Sequence, residues 1–201
     1  MINRRTALKN LTLGLGAVVT APTVLSILSS CTAEVETWKP VFFSESQKIL
    51  VSHLADVIIP SDEIPGALDV NVPQFIDKMI NDLETDENKG IFKKGAAIFS
   101  DKIGKVSKKN VETGLETYFK LKGDAAEKAK SYQWKAENDV DENEKNDFFL
   151  YKFLFVVRQL TLFGYYTSKK IGTEVLSYDP VPGSYDPCIP LEDVGNTWSL
   201  R

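Results

Sequence analysis

From residue 146 to residue 166 the chain reads NDFFLYKFLFVVRQLTLFGYY, apolar around nearly its whole circumference. A helix of that kind has no polar face to give to water, so it must be enclosed on most sides. No other stretch constrains the fold as strongly, because the rest of the chain has to supply the helices that enclose it. The stretch is long enough to span a bilayer. Lys152, Arg158 and Gln159 interrupt it, however, and a charge near a bilayer centre costs about 3 kcal/mol. It is read as the central core helix.

The enclosing helices are visible upstream. Phe43 precedes Ser44-Glu45-Ser46-Gln47, a capping box at a helix start. Ile49, Leu50, Leu54, Val57 and Ile58 then recur at helical steps, and Pro60 ends the segment. Residues 62–67 read as a turn in which Pro65 fixes φ and Gly66 is free to take a positive one. Pro73 suits the first turn of a second helix, with Phe75, Ile76, Met79, Ile80 and Leu83 as its buried stripe. Ile91, Phe92, Ala96, Phe99 and Ile103 mark a third helix, and Val111, Leu115 and Phe119 a fourth. Asp124 is expected to cap a short piece reaching Trp134, the run KAENDVDENEK at 135–145 reads as a solvated loop, and Ser168 opens a short helical turn to Leu176. After Tyr178, prolines at 180, 182, 187 and 190 exclude helix and central strand, so the tail should lie extended over a surface. Signals for β structure are weak. The fold class is mainly α, a single compact helical domain (41–201) with a proline-rich extended C-terminal tail.

The first 30 residues have a different character. Arg4, Arg5 and Lys9 are the only charges before Glu34, and the middle of the segment is apolar or small. That is the build of an export signal, and Arg4-Arg5 resembles the twin-arginine type, whose route moves folded cargo. The segment closes on Leu28-Ser29-Ser30-Cys31, which resembles a lipobox. A thiol can carry acyl chains whose methylenes each contribute about 0.8 kcal/mol of membrane affinity. The alternative for Cys31 is a disulfide to Cys188, the only other cysteine. Residues 31–40 then form a tether, and the domain is expected outside the cytoplasmic membrane, on the periplasmic side, as an anchored lipoprotein.

Removing residues 1–30, with three positive and no negative charges, lowers the formal net charge from −4 to −7. Such a surface has no electrostatic reason to bind nucleic acid. His53 is the only histidine, and it lies three residues from Asp56, within reach along a helix. An acid–base pair is one reading of these two; a polar residue at the core edge is the preferred one. Asp56 can cap backbone, pair with a partner's lysine or face water. There is no Gly-x-Ser-x-Gly elbow, no Gly-x-Gly-x-x-Gly, no phosphate loop and no haem-attachment motif. No catalytic, cofactor-binding or metal-ligating residue is therefore assigned in this chain.

The blocks Leu54-Ala55-Asp56-Val57-Ile58-Ile59-Pro60, Pro65-Gly66-Ala67, Val72-Pro73-Gln74-Phe75-Ile76-Asp77, Gly164-Tyr165-Tyr166-Thr167-Ser168, Tyr178-Asp179-Pro180 and Pro182-Gly183 together resemble the gluconate 2-dehydrogenase subunit 3 family. The resemblance implies a non-catalytic small subunit of a dehydrogenase acting on a sugar, sugar acid or polyol. Its large partner would be a flavoprotein of the glucose–methanol–choline type that holds FAD and often passes electrons to a cytochrome c subunit. The small chain would assist maturation, supply the export signal and attach the complex to the envelope. On this reading the partner interface draws on Asp56, Ile58, Ile59, Pro60, Pro65, Gly66, Tyr165, Tyr166, Tyr178, Pro182 and Gly183. The competing readings are a lipid-anchored binding or assembly module for another envelope protein, and a small enzyme built on His53 and Asp56.

Overall fold

The computed structural model describes residues 38–176, together with Gly183, Cys188, Pro190 and Glu192. The chain divides into a unit of Met1–Lys39 and a unit of Pro40–Arg201, and the helices described here all belong to the second. Helix α1 (Glu45–Ile58) opens with the expected capping box: Gln47 N donates to Ser44 Oγ at 3.2 Å, and Ser44 N donates to Gln47 Oε1 at 3.0 Å. Its buried apolar residues are Leu50, Val51, Leu54 and Ala55. Ile49, expected on that face, is 47% exposed. It sits about 100° round the helix from Leu50, on the far side from Val51.

Helix α2 (Val72–Leu83) carries Pro73 in its first turn and buries Ile76 and Ile80, while Leu83, at its last residue, is 70% exposed. Helix α3 (Asp86–Ile103) is capped by the Thr85 hydroxyl and buries Ile91, Phe92, Ala96 and Phe99 as expected. Helix α4 (Lys108–Phe119) is capped by Ser107 and buries Val111 and Leu115, but Phe119 reaches the surface. Helix α5 (Asp124–Ser131) corrects two expectations: its N-cap is Gly123, with φ 59°, rather than Asp124, and it ends before Trp134. The charged run after it is more than a solvated loop. It forms two 3-10 turns, Glu137–Asp139 and Glu142–Glu144, and buries Val140 between them.

Helix α6 (Lys145–Tyr166) is the core helix, burying Phe148, Phe149, Leu150, Tyr151, Phe153, Leu154, Val157 and Tyr165. It is long and apolar enough to cross a bilayer, yet more than half of that stretch is buried inside the fold. Helices α1, α2, α3 and α5 pack against it, α4 packs on α1 and α3, and a π-helical turn (Ile171–Val175) follows. The described residues contain no strand.

The closest seam joins α3 to α6. A Cβ placed on Gly95 would lie 2.2 Å from the Phe149 carbonyl oxygen and 2.5 Å from Phe153 Cβ, so only glycine allows this approach. Aromatic rings close over it: Phe92 meets Phe153 edge-on at 4.9 Å and stacks on Phe43 at 5.7 Å. A second tie lies at the start of the domain. Asp77 of α2, 1% exposed, accepts three backbone N–H bonds, from Val41 at 2.7 Å, Phe42 at 3.0 Å and Phe43 at 2.8 Å. A buried carboxylate is tolerated there because its oxygens are met by donors.

Two glycines on α3 provide a test. Gly95→Ala forces the helices apart and should cost about 1–3 kcal/mol. Gly90→Ala, whose Cβ would meet nothing within 4 Å, should stabilise by about 0.5–1 kcal/mol. Urea denaturation of the two variants beside the parent chain measures both signs.

Candidate functional site

The segment between α1 and α2 contains four of the residues expected at an interface, Ile59, Pro60, Pro65 and Gly66, and its geometry is closed on itself. Pro60 has no N–H to continue α1, so the helix stops at Ile58 and Ile59 turns extended at φ −135°, ψ 85°. The Ile59 carbonyl then accepts the Ala67 N–H at 2.9 Å, closing a loop over residues 59–67. Inside it Ile64 N donates to the Asp62 carboxylate at 2.8 Å, and Gly66 N donates to Asp69 Oδ2 at 2.7 Å. The loop returns so closely that a Cβ on Gly66 would lie 2.4 Å from Ser61 N. Gly66 is thus required for close approach, not for the positive φ expected of it; among the described residues the non-glycine residue with positive φ is Asn71, at 57°.

Tyr165 holds this loop from across the fold. Its hydroxyl donates to the Pro65 carbonyl at 2.8 Å, joining the end of α6 to a residue 100 positions earlier. Burial raises the phenol's pKa above its ordinary value, with Tyr166, Asp62 and Asp69 adding to the effect, so it stays a donor through the neutral range. Tyr166 turns the other way. The rings of the pair meet at 86°, with Tyr165 7% and Tyr166 53% exposed.

The other expected positions divide by fate. Ile58, Ile59 and Pro65 are half-buried, Pro60 and Gly183 are exposed, and Gly66 is buried. Asp56 is held within the chain by Lys108, Nζ to Oδ2 at 2.6 Å, which takes up the carboxylate that the acid–base reading needs. Among the described residues no hydrogen bond joins His53 to Asp56, and no group of three or more His, Cys, Asp or Glu could hold a metal ion. Arg4, Arg5, Cys31, Tyr178 and Pro182 lie outside the described residues.

Sequence reasoning missed the outward side of α6. Phe155, Arg158, Leu162 and Phe163 line an open groove there, with Trp134 and Tyr166 on its rim. One signal was present: a helix apolar all round exposes whatever its neighbours fail to cover, and Lys152, Arg158 and Gln159 mark the uncovered side.

The fold and this surface define an all-α domain, with a shaped loop at one end of the core helix and an apolar groove along its flank. The family model for gluconate 2-dehydrogenase subunit 3 matches residues 45–183, from the first residue of α1 past the π-helical turn, and the chain belongs to that family, a component of a dehydrogenase complex. No curated protein and no solved structure matches it.

Tyr165→Phe removes the loop's tie to α6 and should cost about 1 kcal/mol, read as faster amide exchange at Gly66 and Ala67. The parent's tie is intact below the ordinary tyrosine value of 10.0 and is lost as pH rises through the raised one. The stability gap between parent and variant should therefore close in strong alkali, as equilibrium unfolding at several pH values would show.

Proposed function

We propose that this chain is the non-catalytic small subunit of an exported FAD-dependent dehydrogenase of the glucose–methanol–choline type, acting on a sugar, sugar acid or polyol. The observation that carries the proposal is the family match across 45–183. The preformed loop supports it, since a surface already ordered before docking loses little conformational entropy on binding. The FAD and the reacting groups belong to the large subunit. A flavoprotein must fold around its flavin before export, so it needs the route that accepts folded cargo, and Arg4 and Arg5 supply that address. Cys31, once acylated, attaches the assembly to the envelope on the periplasmic side. Electrons leave the flavin for a separate acceptor, a cytochrome c subunit on this reading.

The proposal predicts that replacing Arg4 and Arg5 by lysines leaves the flavoprotein in the cytoplasm, with dye-linked sugar-acid oxidation lost from the periplasmic fraction. Periplasmic activity unchanged by the replacement would overturn the escort role. Substrate turnover by the purified small chain alone would overturn the non-catalytic one.

A further inference from the structure

Helix α6 is enclosed by α1, α2, α3 and α5, and α4 reaches it through the ring contact of Phe119 with Phe155 at 5.8 Å, but among the described residues the flank from Phe155 to Tyr166 is left open as a groove. The groove on that flank measures about 770 Å³. A second groove of about 540 Å³ shares Gln133, Phe155 and Arg158 with it and runs on to Ile58 and Phe119. The two form one trough, with Arg158 where they join. Its apolar groups are large and wet: Trp134 is 88% exposed, Tyr166 53%, Phe163 51% and Phe119 37%. Among the described residues, neither groove is lined by an aspartate or glutamate. Of the cations, Lys130 is paired with Glu127 at 3.0 Å, whereas Arg158 makes no ion pair among the described residues.

That combination specifies an occupant. Trp, Tyr and Arg are the side chains that most often dominate binding energy. A guanidinium set among aromatic rings is weakly hydrated and matches a carboxylate with two parallel hydrogen bonds. From Phe155 to Tyr166 the flank is about 17 Å long, the reach of about five extended residues. A second copy of this chain fits poorly, because a two-fold contact centred on the trough brings one Arg158 against another.

We propose that the trough on α6 seats another subunit of the dehydrogenase complex, which lays across it an apolar segment bearing one carboxylate that pairs with Arg158. The proposal rests on the subunit reading above and names its docking surface. Phe163 and Trp134 take the apolar groups of the segment, and Arg158 fixes its register. Ile58 and Tyr166, at the two ends of the trough, connect it to the stapled loop.

The test uses the full chain, tagged and expressed in its native envelope, with recovery of the flavin-bearing dehydrogenase measured by flavin absorbance and dye-linked sugar-acid oxidation. Trp134→Ala, Arg158→Glu and Arg158→Lys are compared with Lys102→Glu, an exposed control on α3. The expected result is a loss of recovery of tenfold or more for Trp134→Ala and Arg158→Glu and a smaller loss for Arg158→Lys. The control should stay at parent level, and all four should keep the parent's thermal midpoint. Full recovery by every variant removes the trough as the seat and leaves the subunit reading standing. Failure of the parent chain to recover any flavoprotein removes both. A parent that dimerises through Trp134 in light scattering, with no flavoprotein present, overturns the proposal in favour of self-association.

Discussion

The approach of α3 to α6 at Gly95 sets the geometry on which the other helices depend. With no side chain there, the backbone of α3 comes against the Phe149 carbonyl and Phe153, and the rings of Phe92, Phe99 and Phe43 close round that contact. Packing at this distance uses the dispersion of many atom pairs, and it fixes the rotation of α6 about its own axis. That rotation decides which residues of an apolar helix are hidden. With Phe149 and Phe153 facing α3, Arg158, on the opposite side of the helix from Phe149, is left facing outward.

The two surface features follow from that rotation in different ways. The loop at 59–67 owes its shape to local hydrogen bonds and to a single long-range one, from Tyr165, whose position is set by the orientation of α6. The trough is what remains of the same helix after its neighbours are placed. Loop and trough are therefore geometrically linked, because one rigid helix presents Tyr165 to the first and Tyr166 to the second. A partner touching both would read the end and the flank of one element.

Local signals were legible in the sequence, and long-range ones were not. The Ser44 capping box needs only a four-residue pattern, and the stripe of α3 only a period, so both are readable before folding. Ile49 and Leu83 satisfy the same apolar pattern as their buried neighbours, yet they face away from the core or sit at a helix end. Periodicity cannot separate those cases, since it carries no information on where the next helix lies. The partners of Asp77 are backbone N–H groups more than 30 residues away, and these leave no trace in side-chain identity. Gly66 was recognised as special for the wrong reason. Its constraint is the chain folding back on Ser61, which a turn rule based on φ does not contain. At the site, the loop residues were anticipated from the motif, while Lys108 as the partner of Asp56 and the flank of α6 were not.

The grip of Asp77 on residues 41–43 has a mechanical consequence. Tension arriving along the backbone from upstream enters the domain at Val41, and there it meets three bonds to one carboxylate on α2 before it can reach α1. The three donors sit on consecutive residues and meet one buried carboxylate, so this anchor has to be stripped before a pull loads the helix beyond it. The buried aspartate therefore acts as a strain relief, like a grommet where a cable enters its housing, so a pull applied at Val41 is spent before the first helix frays.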